Sequence, residues 1–196
     1  MKKLAFLSVL FILFISGTGR PDVMVDKKIY KVFYSQKLEQ PLWLEYKSSN
    51  RPTNVNRGSM DFYGEPNVIT SDNHDYAKNV WDKGHIAPAA TFSDNMENLK
   101  TTFSYLNCAL QDQYLNRGEW RLLEEQERKW DDIEVLQIKV DVKFDKNSQV
   151  IPTGATVPVG FTKHIYFEKS KKWECYYFPN ERANKKWNEY KIKCVH

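Results

Sequence analysis

The stretch from Trp81 to Trp130 constrains this chain more than any other. It opens with Asp82-Lys83-Gly84-His85-Ile86-Ala87-Pro88-Ala89-Ala90, a lone histidine among small residues with Gly84 before it and Pro88 soon after. It closes with Leu115-Asn116-Arg117-Gly118-Glu119-Trp120-Arg121-Leu122-Leu123-Glu124-Glu125-Gln126-Glu127-Arg128, a polar turn running into strong helix formers. The pattern predicts a helix over Asn116 to Trp130. On it an amide (Asn116), a carboxylate (Glu124) and a guanidinium (Arg128) follow at i, i+8 and i+12. At about 100° per residue these three fall within about 120° of one helix face. A base, one ligand for a hard cation and a cation for phosphate would make a metal-assisted phosphodiesterase.

Around this block the chain reads as α+β, with a length of 196 residues that suits one domain. Short apolar stretches between Asp22 and Tyr46 predict strands of one sheet. From Lys47 to Asp75 the chain is polar and rich in Asn, Pro, Gly and Asp, a long connection of the kind that often carries function. Asp75 to Asp82 suggests a turn of helix, and Ser93 a cap for a short helix ending near Leu99. Thr102 to Ala109 is buried strand or buried helix; periodicity does not decide between them. Ile138 to Phe144 alternates strictly, as a half-exposed strand does. Pro158 to Phe167 and Trp173 to Phe178 predict two more strands, joined by a turn over 168–172.

At the N-terminus Met1-Lys2-Lys3 precedes an apolar run from Leu4 to Ile15, broken only by Ser8, and then Ser16-Gly17-Thr18-Gly19. This is the pattern of a cleaved secretory signal over residues 1–19, which leaves 20–196 as the domain and implies a secreted or periplasmic protein. The run is shorter than the roughly 20 apolar residues of a span, so no stable membrane anchor is expected. Net charge is +4, and loss of Lys2 and Lys3 with the leader lowers it to about +2. That balance does not argue for nucleic acid by itself. Of the three cysteines, Cys175 and Cys194 are the nearer pair and the expected bridge, while Cys108 sits in an apolar run as a small hydrophobe. No Cys-x-x-Cys occurs, so no structural zinc site is expected. Nothing in the sequence specifies an oligomer.

Asp82-Lys83-Gly84-His85 with Ala87-Pro88-Ala89-Ala90, followed by Asn107, Gln111, Leu115-Asn116, Gly118, Trp120, Leu123-Glu124 and Arg128, resembles the DNA/RNA non-specific endonuclease family. The later Val157-Pro158-Val159-Gly160-Phe161-Thr162-Lys163 is similar to the family's final core strand. The resemblance implies the ββα-metal (His-Me finger) fold, a central antiparallel sheet with packed helices and long loops. It implies hydrolysis of DNA and RNA with Mg2+, or Mn2+ in its place, leaving 5′-phosphate ends.

The resemblance places His85 as the general base, a role a neutral imidazole can fill near pH 7. Asn116 falls on the one direct magnesium ligand, Glu124 on the carboxylate that positions water around the ion, and Arg128 on the phosphate-binding guanidinium. Read alone, Asn116 before Arg-Gly is an ordinary turn or cap residue, and Arg128 an i, i+4 partner of Glu124. Lys83, Asn107, Gln111 and Arg57 match positions that touch phosphate or brace the site, with Arg51 as the rival of Arg57. Asp82 orients the segment or the imidazole, or merely caps a turn; Trp120 packs the helix. Lys83 stands where the family usually has Arg, which keeps the charge and loses the bidentate fork. Glu125 and Glu127 read as solvated helix glutamates, and His74, His164 and His196 are given no chemical role. The alternative from another class is a catalytically inactive nucleic-acid-binding module on the same fold.

Overall fold

The computed structural model describes residues 20–195; the leader expected over 1–19 and His196 lie outside the described residues. The first alternating stretches form β1 (Val23–Asp26), β2 (Tyr30–Ser35) and β3 (Gln40–Ser48), each turning β-branched or aromatic side chains inward. The short strand β4 (Trp81–His85) follows the long connection, and β5 (Cys108–Asp112), β6 (Leu136–Lys143), β7 (Gly160–Phe167), β8 (Trp173–Pro179) and β9 (Lys191–Ile192) complete the set. Seven of them make one antiparallel sheet in the order β1-β2-β3-β6-β7-β8-β9, and β4 pairs with β5 in a separate two-stranded sheet.

The helices are α1 (Met96–Thr102), the single turn α2 (Gln113–Leu115) and α3 (Arg121–Asp131). α3 lies on the inner face of the large sheet, where Val32, Leu44, Ile138, Val140, Phe161 and Ile165 are wholly buried or nearly so. Polar bonds fix its register: Tyr46 Oη donates to Glu127 Oε2 at 3.0 Å, and the Ser48 hydroxyl bonds Asp131. The small sheet is docked by backbone groups, Leu110 N–H donating to Gln40 Oε1 and Asp112 N–H to Asn180 Oδ1.

Three expectations change. The 75–82 stretch is no helix: it turns, and from Trp81 it is strand, because residues 81–85 find antiparallel partners in 108–112. α1 is capped by Asn95, whose side chain accepts from Asn98 N–H at 2.9 Å, while Ser93 Oγ donates back to Ala90 O. The helix predicted from Asn116 to Trp130 is not continuous. Residues Asn116–Trp120 form a π-helical stretch broken by a kink at Gly118 (φ −105°, ψ −113°).

Candidate active site

β4, β5 and the broken helix after them form the ββα unit that carries the Trp81–Trp130 block. Strand alternation separates its residues. Lys83 and His85 face one side of β4; Asp82 and Gly84 face the other. Asp82 therefore cannot reach the imidazole. It accepts instead from Asn116 Nδ2 at 2.9 Å and takes both Nε and Nη2 of Arg117 at 2.7 and 2.6 Å. With its NH2 held in this way, Asn116 is left its carbonyl oxygen for other partners. Arg117, which the sequence did not single out, is the second anchor of the same carboxylate.

His85 is half-buried, its ring 4.6 Å from Phe62 and 4.9 Å from Phe103. Its Nε2 is screened from solvent and has no partner in the protein. Burial, reinforced by the Arg57 charge, pushes its pKa down to about 3, so the imidazole is neutral throughout the physiological range. The long loop supplies this surrounding: Phe62 packs on His85, and the Arg57 guanidinium lies 5.1 Å over the Phe103 ring. Arg51 is instead paired with Asp94 at 3.2 Å.

Two residues expected at phosphate are occupied otherwise. Lys83 Nζ is 2.5 Å from Asp61 and also bonds Asn73, so its charge pins the loop. Asn107 is wholly buried and clamps the chain after His85, its Oδ1 accepting from Ala87 N–H and its Nδ2 donating to Ala87 O and Thr102 O. Gln111 is also wholly buried, yet both its amide atoms lack partners. It packs over Gly84, where an added Cβ would sit 2.3 Å from Gln111 Oε1 and 2.6 Å from its Cβ, so any side chain at 84 displaces the amide.

Glu124 and Arg128 lie on α3 beside the large sheet. Glu124 Oε1 and Arg128 Nη1 are both screened and unpartnered. Burial raises the Glu124 pKa to about 7; Lys163 opposes the rise, Glu127 adds to it and Arg128 opposes it. Glu127 is not the solvated residue expected. It is fully buried, with Oε1 2.9 Å from Lys163 Nζ, itself fully buried and 4.1 Å over the Trp120 ring. The spacing held the signal: Glu127 is i+7 from Trp120 and i+4 from Leu123, on the buried stripe of the helix. Trp120 packs as expected, against Phe161 and Phe178.

No hydrogen bond among the described residues joins His85 to Asn116, Glu124 or Arg128, so separate contacts hold each of them. Among the described residues, His85 Nε2, the Gln111 amide, Glu124 Oε1 and Arg128 Nη1 are buried without hydrogen-bond partners. Orphaned groups of that kind are costly in a fold that no ligand or water completes. An amide oxygen and a nearby carboxylate fit a hard cation held mainly through water; the described residues contain no cluster of three or more His, Cys, Asp or Glu that could hold a metal ion directly.

Residues 12–196 match the DNA/RNA non-specific endonuclease family. The chain belongs to that family. It is a family of metal-dependent nucleases with nucleic acid as substrate. Among curated relatives, the mitochondrial nuclease EXOG of Danio rerio is 32% identical over 114 residues, 54% of this chain and 33% of that protein. The mitochondrial endonuclease G of Bos taurus is 29% identical over 117 residues, 56% of this chain and 39% of that protein. The matched regions thus span between a third and two fifths of those relatives. A chain of the crystallised EndoG/EndoGI complex, a structure concerned with EndoG inhibition, superposes with a TM-score of 0.79 at 22% identity, over 90% of this chain and 82% of the other. That likeness shows the ββα-metal nuclease fold. Both named relatives are mitochondrial, which overturns the secreted or periplasmic location expected from the N-terminal run. No described helix is long and apolar enough to cross a membrane.

The opposed shifts of Glu124 and His85 make stability without metal depend on pH in two directions. Glu124 binds its proton more tightly folded than unfolded, so its burden appears as pH rises from about 4.5 and is complete above about 7. His85 binds its proton less tightly folded, so its burden grows as pH falls from about 6.5 toward 3. In EDTA, Glu124→Gln is expected to stabilise the protein by about 1–3 kcal/mol at pH 8 and to leave it unchanged at pH 4. Urea melts at the two pH values check this; equal gains at both would show that Glu124 titrates normally.

Proposed function

We propose that this chain is a Mg2+-dependent endonuclease that hydrolyses DNA and RNA without sequence preference and leaves 5′-phosphate ends. The observation that carries the reading is the set of buried, unpartnered polar atoms on His85, Gln111, Glu124 and Arg128, within a ββα unit of this family. Neutral His85 accepts the proton of the attacking water at Nε2, which burial, with the Arg57 charge second, keeps unprotonated. Arg128 binds non-bridging phosphate oxygens. Asn116, its amide fixed by Asp82, would hold the cation, and Glu124 and Gln111 would order water nearby. Magnesium, when bound, stabilises charge on the phosphorane and the leaving oxygen. Lys83, Asn107 and Trp120 act one step back, through the loop, the post-His85 chain and the helix.

Purified protein should nick plasmid and degrade RNA with Mg2+, lose both activities in EDTA, and lose them in Asn116→Ala together with a weak Mg2+ site seen by calorimetry. Cleavage should weaken as salt rises, because recognition is of backbone phosphates. A folded wild type that binds magnesium and cuts neither polymer would overturn the proposal.

A further inference from the structure

His164, outside the nuclease site, stands between a carboxylate and a disulfide. Its Nε2 is 3.3 Å from Asp141 Oδ2, and its Nδ1 is 3.5 Å from the Sγ of Cys175. Cys175 is bonded to Cys194. The arrangement follows from the sheet: β7 places His164 opposite Cys175 of β8, and Asp141 rises from β6 on the same solvent-facing side. Lys139 and Lys143 also pair with Asp141, at 3.2 and 3.1 Å. Despite its partial burial, hydrogen bonds from His164, Lys143 and Lys139 hold the Asp141 carboxyl well below the usual carboxylate range. Asp141 is therefore an ionised carboxylate on the Nε2 side of the ring.

The two sulfurs differ in access. Cys175 is wholly buried against His164, whereas Cys194 lies half-exposed beyond β9, which pairs with Cys175 and Tyr176. Cys194 is thus the cysteine nearer solvent, and attack there makes Cys175 the leaving group. Disulfide exchange is faster when the leaving thiol is stabilised as thiolate, and a neighbouring imidazolium does this.

We propose that Cys175–Cys194 is a thiol–disulfide exchange site, opened by a dithiol reductant that attacks Cys194 and expels Cys175 toward His164. The incoming thiolate forms a mixed disulfide with Cys194 as the Cys175–Cys194 bond breaks. The departing electron pair rests on Cys175 Sγ, which receives the Nδ1 proton of His164 while Asp141 holds Nε2. The reductant's second thiol then attacks the mixed disulfide and releases Cys194, which takes a proton from solvent. One dithiol is oxidised and one protein disulfide is reduced to two thiols. The bond so opened clasps the C-terminal segment, in which Trp187 N–H donates to Glu119 Oε2 at 2.6 Å, on the π-helical stretch that begins with Asn116.

The test needs no nucleic acid, so its failure is independent of the nuclease proposal. Native full-length protein is reduced with dithiothreitol, quenched by alkylation and followed by mass spectrometry, for wild type, His164→Asn and Asp141→Asn. His164→Asn should slow reduction about tenfold and Asp141→Asn less, while all three reduce alike when unfolded in guanidinium. In wild type alone, with glutathione as the probe, the first adduct should map to Cys194 with Cys175 a free thiol. Equal native rates for wild type and His164→Asn, or a first adduct on Cys175, would overturn the assignment.

Discussion

Replacing His85 by alanine is expected to lower cleavage of DNA and RNA by about 10²–10⁴-fold, the range a positioned general base supplies. The imidazole has no hydrogen bond holding it within the fold, so its removal costs packing against Phe62 and Phe103 but breaks no polar network. Affinity for an oligonucleotide and for Mg2+ should stay near the wild-type values, because Asn116 and Arg128 are untouched. The space left between the two phenylalanine rings should admit added imidazole and restore part of the rate. Turnover, oligonucleotide affinity and a thermal melt on the same preparation separate the explanations. A loss that tracks unfolding, or a variant that cuts as well as wild type, would remove His85 from the chemistry.

Lys163→Met is expected to destabilise the protein by about 3–5 kcal/mol, the cost of leaving one member of a buried ion pair without its partner. Here the orphan is Glu127, fully buried on α3 with only Tyr46 Oη still donating to it. The cation–π contact of Lys163 with Trp120 goes as well. The double change Lys163→Met with Glu127→Leu should recover most of the loss, since two apolar side chains of similar volume need no counter-charge. The single variant carries a second signature. Lys163 is the strongest influence holding the Glu124 pKa down, so its removal should move the acidic limb of the activity profile to higher pH. Urea melts of the two variants, with a pH–rate profile of the single one, check both. A single variant as stable as wild type would show that Glu127 takes up a proton or water at no cost.

The family block and much of the large sheet were legible in the sequence. His85, Asn116, Glu124 and Arg128 stand in a spacing that marks their family, and the alternating stretches near 30, 44, 138 and 165 became strands of the large sheet. The bridge between Cys175 and Cys194 and the burial of Cys108 also matched expectation. Elsewhere a partner distant in sequence made the decision. Trp81–His85 is a strand only because Cys108–Asp112 lies beside it, and no helix propensity in 75–82 survives that pairing. Lys83 reads as a phosphate contact until the loop brings Asp61 and Asn73 to it. Localisation was misjudged from composition at one end of the chain, where an apolar run resembled a leader and the relatives proved mitochondrial.

By itself the sequence determined the strand periodicity and the family block, because these depend on residue type and on spacing along the chain. Only the tertiary structure decided that Trp81–His85 is a strand with Lys83 and His85 on one face, that Asp82 serves Asn116 and Arg117 instead of His85, and that Glu127 is a buried ion-pair partner of Lys163. The reason is physical. Hydrogen bonds and ion pairs act over about 3 Å, and the groups that satisfy these side chains are brought within that reach only when strands and loops remote in sequence are packed together.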